Sequence, residues 1–469
     1  MELLNTAGHR KRVVILGAGF GGLYTALKLD RLLRRDELAD IVLIDKNHFH
    51  LFTPMLHEAA AGIIQPSLIL APVRRVVQGR RRGSRIHFLR ARVDRIDLDT
   101  RRLDLCCGEM TYDILVIALG SVTRFYGLDS VEARALEMKF AGDAEAVRCH
   151  IINHFEAATR VTDPAERRRL LTFVVVGGGC TGIETVTELH EFIEQVHAEQ
   201  YPELDHEEMR TVLVEIREKV LPEMGESLSE AAERRMHQMG IELMLNTTVA
   251  DYDEMGLTFA GGRAPLPTDT VVWAAGVRAP DVVRDLPLEK DKIGRIVVGS
   301  DLVVPGRPEV YAMGDNAHAV HPTKNEVYSP TAQVAYRQSP VVAANIAADL
   351  RGDGEHKVFD FDYIGDLVSL GKLSGVANPY GIRLRGVLAW GMWKFYYLSQ
   401  LVGWQNRLRV VLNWLLALFF PRSSALSYEC SEECVQELCP DVELLDTGIE
   451  IEESFEPEPV GARGVGIRQ

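Results

Sequence analysis

"VVILGAGFGG", residues 13–22, decides the fold. An apolar run of strand character stops at Gly17, and a helical pattern, LYTALKLDRLL, follows at residues 23–33. A second apolar run, DIVLID, ends on Asp45. Strand, glycine loop, helix, strand and acid, with the acid roughly twenty residues past the glycines, make the dinucleotide-binding fingerprint. Gly17 permits the tight turn, Gly19 lets the backbone approach a pyrophosphate, and Gly22 or Gly21 lets helix and strand pack closely. The N–H groups at the start of the helix then face the phosphates, while Asp45 can accept from ribose hydroxyls.

The pattern returns in LTFVVVGGGCTGIETVTELHEFI, residues 171–193, with Gly177, Gly179 and Gly182 at the same three offsets. A further strand, RTVLVEI at residues 210–216, carries Glu215. Its distance from the glycines is longer because residues 195–209 extend the helix and its loop. An acid there suits an unphosphorylated ribose, so NADH is expected over NADPH, although Arg217 and Lys219 lie close by. Three other strands end in small residues, as a backbone crossing close to a nucleotide requires. They are YDILVIALGS (112–121, with Gly120), DTVVWAAGV (269–277, with Ala275 and Gly276) and PEVYAMGDNA (308–317, with Asp315).

In this order the motifs resemble the two-dinucleotide-binding flavoprotein reductases. The resemblance implies an α/β fold with two Rossmann-like dinucleotide-binding domains, one for FAD and one for NADH. FAD would be held by Gly17, Gly19, Gly22, Asp45, Lys46, Gly120, Asp315 and Ala332, with Asp315 on the polyol chain. NADH would be held by Gly177, Gly179, Gly182, Glu215, Ala275 and Gly276. Leu119 stands where Thr is more usual. The expected boundaries are residues 1–150 and 281–380 for the two parts of the FAD domain and 151–280 for the NADH domain. Residues 381–425 are read as membrane-anchoring helices and residues 426–469 as an acidic, disordered tail.

Disulfide reductases of this fold carry paired cysteines just beyond the FAD loop. Here that region reads NHFHLFTPMLHEAAAG, residues 47–62, without a cysteine. It is similar instead to a segment of the type II NADH:quinone oxidoreductases, with Leu56-His57 in place of their Leu-Tyr. PTAQVAYRQ, residues 330–338, resembles their quinone-site element, with Arg337 replacing a Gln. YLSQLVGWQNRLRVVLNW, residues 397–414, resembles their C-terminal membrane segment. The activity implied is hydride transfer from NADH to FAD and two-electron reduction of a membrane quinone without proton pumping. Glu184 would stand near flavin and nicotinamide, and the amides of Gln333 and Gln338 would bond the quinone carbonyls. His48, His50 and His57 are proton-donor candidates by residue type alone. A related reductase with another acceptor, sulfide:quinone-type or a soluble redox partner, is the alternative. Against the sulfide reading, residues 274–352 contain no cysteine. An NADH-sensing module without catalysis is a third reading, separated from the others by turnover.

Composition narrows the partners. The chain has 469 residues, a formal net charge of -15 and 46% hydrophobic residues, enough for more than one domain. Residues 429–458 hold twelve Asp or Glu and no Lys or Arg, so the charge is concentrated late in the chain. Nucleic acid is not an expected partner. Seven cysteines do not make a disulfide framework in a chain this long, and no metal site is expected. Cys430, Cys434 and Cys439 lack a fourth ligand nearby, and Cys106-Cys107 falls in a predicted hairpin. The start, MELLNTAGHRKRVVIL, has no apolar signal region, so a cytosolic origin is expected.

Residues 393–422 are free of acids and rich in Trp. The apolar run at 410–420 is interrupted by Asn413 and falls short of the roughly 20 residues a spanning helix needs. Leu408, Val411, Leu412, Leu415 and Phe419 share one helical face. The expectation is an interfacial helix on an anionic bilayer surface, giving a peripheral protein on the cytoplasmic face of the cell (inner) membrane. A homodimer is the expected assembly.

Overall fold

The computed structural model describes residues 10–36, 38–78 and 84–423. The acidic segment and its three cysteines lie outside the described residues.

The chain opens with β1 (Lys11–Leu16), α1 (Gly22–Leu32) and β2 (Ala39–Asp45), then α2 (Leu56–Ala60), β3 (Ile86–Arg90) and β4 (Ile114–Ile117). β1 pairs in parallel with β2, Val13 against Ile41, and with β4, Val13 against Ile114. Val13, Val14, Ile15 and Leu16 are all fully buried, as a strand covered on both faces must be.

A second parallel sheet interrupts the first. It is built from β5 (Leu136–Glu137), β6 (Thr172–Val176), β7 (Arg210–Val214), β8 (Glu242–Met244) and β9 (Thr270–Trp273), with α3 (Ala141–Arg160) before β6 and α4 (Cys180–Gln200) after it. Its order is β5-β9-β6-β7-β8. α3 runs through the boundary expected at residue 150, and β5 already belongs to the second sheet. The hydrophobic pattern of α3 extends without a break across that point, because the helix packs on α2 as well as on β5 and β9.

The chain then completes the first sheet with β10 (Val303–Val304) and β11 (Arg307–Ala312), giving the order β10-β11-β4-β1-β2-β3. α5 (Ala332–Arg351) packs along α1, and its first turn is capped by the Thr331 hydroxyl, which accepts from Val334 N–H at 3.3 Å. A small antiparallel sheet follows, β12 (Leu367–Ser369), β13 (Gly375–Ala377) and β14 (Leu384–Arg385). Two helices close the described chain, α6 (Val387–Gln400) and α7 (Trp404–Phe419).

These last helices turn part of their aromatic surface inward. Trp393 is fully buried, and Lys394 is buried beside it. The Lys394 ammonium donates to Glu58 of α2 and lies 5.4, 5.0 and 4.5 Å from the ring centroids of Trp390, Trp393 and Trp414. Trp414 Nε1 donates to the other Glu58 oxygen at 2.9 Å. Three of the four late tryptophans therefore form a cage around an internal ion pair. Only Trp404, 72% exposed, stands free toward solvent. Of the apolar face expected for α7, Leu408, Leu412, Leu415 and Phe419 are exposed while Val411 is half-buried; Leu416 is exposed as well. Among the described residues, no helix is long and apolar enough to cross a membrane.

Candidate functional site

Four parallel strands of the first sheet end at one cavity of about 400 Å³. Its wall comes from the turn after β1 (Ala18 to Gly21), the turn after β2 (Asp45 to Asn47), the crossing after β4 (Ala118 to Ser121) and the turn after β11 (Met313 to Asp315). Ala332 and Ala335 add the first turn of α5. The site thus lies at the carboxyl ends of the strands, where β1 has neighbours running off in both directions; open parallel sheets bind their ligands there.

The glycines explain why the cavity is open. A Cβ on Gly17 would stand 2.2 Å from Ala118 O, and one on Gly22 would stand 1.9 Å from Gly17 O, so neither position admits a side chain. A Cβ on Gly19 would meet nothing within 4 Å, so this glycine faces the open cradle. The second unit repeats the pattern. Gly182 Cβ would stand 1.8 Å from Gly177 O, while Gly179 Cβ would meet nothing within 4 Å.

The acids obey the same repeat. Asp45 accepts from Ala18 N–H at 2.7 Å and from Asn47 N–H at 2.7 Å, and burial raises its pKa above the usual carboxylate value. Glu215 accepts from Gly178 N–H and, at 2.9 Å, from Arg217 N–H. In each unit the acid reaches back to the residue after the first glycine. Beside the second loop, Gly276 O accepts from Arg124 N–H at 3.1 Å and Ala275 O accepts from Tyr126 O–H at 2.8 Å.

At the far wall of the cavity, Asp315 accepts from Ser121 O–H at 2.7 Å, and the Lys139 ammonium lies 3.6 Å from it. Gly120 N–H donates to Asn316 Oδ1 at 3.0 Å, and Asn316 Nδ2 donates to Ile117 O at 2.9 Å, tying the β4 and β11 turns together. The Lys46 ammonium sits 4.8 Å from the Phe140 ring centroid. Lys139 and Phe140 escaped sequence reading because they stand in a segment with no periodic or glycine signal.

The residues expected at the acceptor divide. Glu184 is buried in α4. Its Oε1 accepts from Trp393 Nε1–H at 2.7 Å and from Ser369 N–H at 3.1 Å, while Oε2 faces His57 Nδ1 at 3.7 Å. Burial pushes its pKa up to about 8, with Glu58 and Glu188 adding to the rise against the two donors. Burial and the Lys394 charge press the His57 pKa down to about 3. His50, buried with Nδ1 3.0 Å from Ala18 O, is pressed to about 4. His48 is exposed. Gln333 is half-buried, its amide oxygen without a hydrogen-bond partner.

Gln338 departs from expectation. It is fully buried, and its amide oxygen accepts from Gly314 N–H at 2.7 Å. That oxygen supports the turn carrying Asp315 instead of reaching toward an acceptor. The i, i+5 spacing from Gln333 puts the two amides on different sides of α5. Arg337, likewise, is exposed and stacks on Phe361 at 5.4 Å.

Around Glu184 lies a charge-balanced network. Glu188 accepts from Ser369 O–H at 3.3 Å and pairs with Arg422 at 3.1 Å. His57, Glu58 and Glu188 each bring one potential ligand atom within 4.8 Å of the others. Lys394 and Arg422 already neutralise the two carboxylates, so the group reads as an ion-pair network.

Comparison with known proteins gives a family and a fold. A pyridine nucleotide-disulphide oxidoreductase family model matches residues 11–339, and an NDH2 C-terminal domain model matches residues 363–423. The chain is 33% identical over 432 residues to the type II NADH:quinone oxidoreductase Ndh of Mycobacterium tuberculosis, covering 89% of this chain and 90% of that protein. The structure of NDH2 from Plasmodium falciparum in complex with NADH superposes with a TM-score of 0.80 at 19% identity, covering 89% of this chain and 100% of that one. The sulfide:quinone oxidoreductase of Aquifex aeolicus superposes with a TM-score of 0.66 at 17% identity, covering 90% and 100%. These two likenesses concern the fold alone.

Proposed function

The chain belongs to the type II NADH:quinone oxidoreductases, within the pyridine nucleotide-disulphide oxidoreductase family, and from that premise we propose how its residues divide the work. The reaction is the family's: NADH is oxidised and a quinone reduced.

The cavity of the first sheet would hold FAD. Gly19 would admit a pyrophosphate at the α1 N-terminus, Asp45 would bind a ribose, and Asp315 with Lys139 and Ser121 would bind the polyol chain. The second loop, at Gly179, would hold NADH, with Glu215 as the ribose acceptor and Ala275 and Gly276 allowing close approach. The chemistry that FAD supplies when bound is that of a two-electron carrier between the nicotinamide and the quinone. Reduction of a quinone by NADH takes up one proton from outside the pair. Glu184, a buried carboxyl with its pKa raised to about 8, is suited to hold that proton at neutral pH. Gln333 offers an unpartnered amide oxygen in the first turn of α5, next to Ala332 of the cavity wall.

The exposed apolar face of α7, with Arg407 and Arg409 beside it, supports peripheral contact with an anionic bilayer, where the quinone is dissolved. NADH as donor puts that contact on the cytoplasmic face. The duplicated loop-and-acid unit is the observation that carries the reading. The test is steady-state oxidation of NADH with a panel of quinones, with NADPH and sulfide as control donors. Turnover with sulfide in place of NADH, or NADPH used as well as NADH, would overturn it.

A further inference from the structure

His57 is buried, with one ring nitrogen, Nδ1, 3.7 Å from Glu184 and the other, Nε2, without a hydrogen-bond partner. Glu184 fixes which nitrogen bears the hydrogen. Its Oε1 accepts two N–H groups, from Trp393 and Ser369, and so is the carbonyl-like oxygen. When the carboxyl is in its acid form, the hydrogen is on Oε2. The polar atom facing Oε2 is His57 Nδ1. Nδ1 must then be bare, and Nε2 carries the ring hydrogen.

The ring lies among carboxylates: His57, Glu58 and Glu188 each bring one polar atom within 4.8 Å of the others. The charged groups packed against the ring are Glu184 and Glu188 from α4, Glu58 from α2 and Lys394 from α6; Arg422 closes the cluster on Glu188. Lys394 donates to Glu58. Its positive charge disfavours an imidazolium, so the ring is neutral and able to accept. Trp393 holds the ring edge-on, with centroids 5.4 Å apart. At 3.7 Å the contact is longer than a hydrogen bond, as contacts in ligand-free sites often are before substrate tightens them.

We propose that His57 is a positioning residue for Glu184: its bare Nδ1 accepts the hydrogen of the Glu184 carboxyl, aims Oε2 and favours the acid form. This rests on the reading of Glu184 as the proton-holding group. A tyrosine hydroxyl placed there by substitution can donate to the carboxylate and favours the opposite state.

The test reads protonation directly. Infrared difference spectra of the full-length holoenzyme are recorded across pH, following the C=O stretch of a protonated carboxyl, in wild type and in Glu184→Gln, His57→Leu and His57→Tyr. In wild type the band is expected to bleach with a midpoint near 8 and to be missing in Glu184→Gln. In both His57 variants the midpoint falls by about one pH unit or more, a tenfold change in the acid-to-base ratio. His57→Tyr keeps an aromatic ring with a polar tip against Trp393, so it serves if His57→Leu fails to fold. An unmoved midpoint in the folded His57 variants overturns the role of His57 and leaves Glu184 standing. A band that persists in Glu184→Gln, with turnover intact, overturns the Glu184 reading and this one with it.

Discussion

At the residue scale, two positions carry opposite lessons. Gly179 has an extended backbone that any residue can adopt, and a Cβ there meets nothing. Gly179→Val therefore leaves the fold intact and fills the approach to the second loop. The expected outcome is an unchanged melting temperature and FAD content with KM for NADH raised at least about tenfold, which corresponds to about 1.4 kcal/mol of lost binding. Steady-state kinetics with NADH as the varied substrate checks it. Glu184 is the reverse case, a buried acid whose chemistry depends on its surroundings. If its acid form is needed, quinone reduction falls as pH rises through about 8 in wild type. In Glu184→Gln that alkaline limb disappears and kcat drops on the order of 10²-fold, the usual worth of a general acid. A pH profile of kcat decides it.

At the element scale, the segment after α5 is clamped back on the first sheet by one histidine. His356 lies 2.9 Å from Asp301 and 2.7 Å from Asp349, and these partners raise its pKa. A histidine whose folded pKa is raised contributes fully below its unfolded pKa, about 6.5, and loses the contribution as pH rises through the folded value. The melting-temperature gap between wild type and His356→Asn should therefore be widest in mild acid and narrow toward alkaline pH. α7 supports a second test. Leu412, Leu416 and Phe419 are exposed on one face, at spacings of four and three. The triple change to Asp should cut liposome flotation at least about tenfold, since each large side chain contributes about 1.5–3 kcal/mol on burial. Because none of the three is in the core, the melting temperature should hold. Equal flotation of both proteins would sink the membrane reading of this helix.

At the scale of the whole molecule, the C-terminal helices are part of the body and not an appendage. Cutting the chain after Gly386 removes buried Trp393 and strips Glu58 of both Lys394 and Trp414. The first loss costs about 3–5 kcal/mol and the second about as much again. Together they approach the about 5–15 kcal/mol that holds a typical domain folded. The truncated chain is expected to lack a cooperative thermal transition by calorimetry, so the membrane role of α7 has to be tested by surface substitution. The sequence by itself determined both glycine loops, both acids, the strands that end at them and the family. At Gly17, Gly22 and Gly182 a backbone oxygen 2.2 Å or less from the missing Cβ dictates the residue type, and each acid recurs at the end of the next parallel strand. The sequence also exposed the apolar face of α7, which depends only on helical period. Only the tertiary structure decided that three tryptophans surround Lys394 where it pairs with Glu58, that Gln338 supports a turn, and that His57, Ser369 and Trp393 surround Glu184. Those partners lie as far as 356 residues apart along the chain. A buried charge is tolerated only where such distant partners meet it, and no local period or spacing records which ones will.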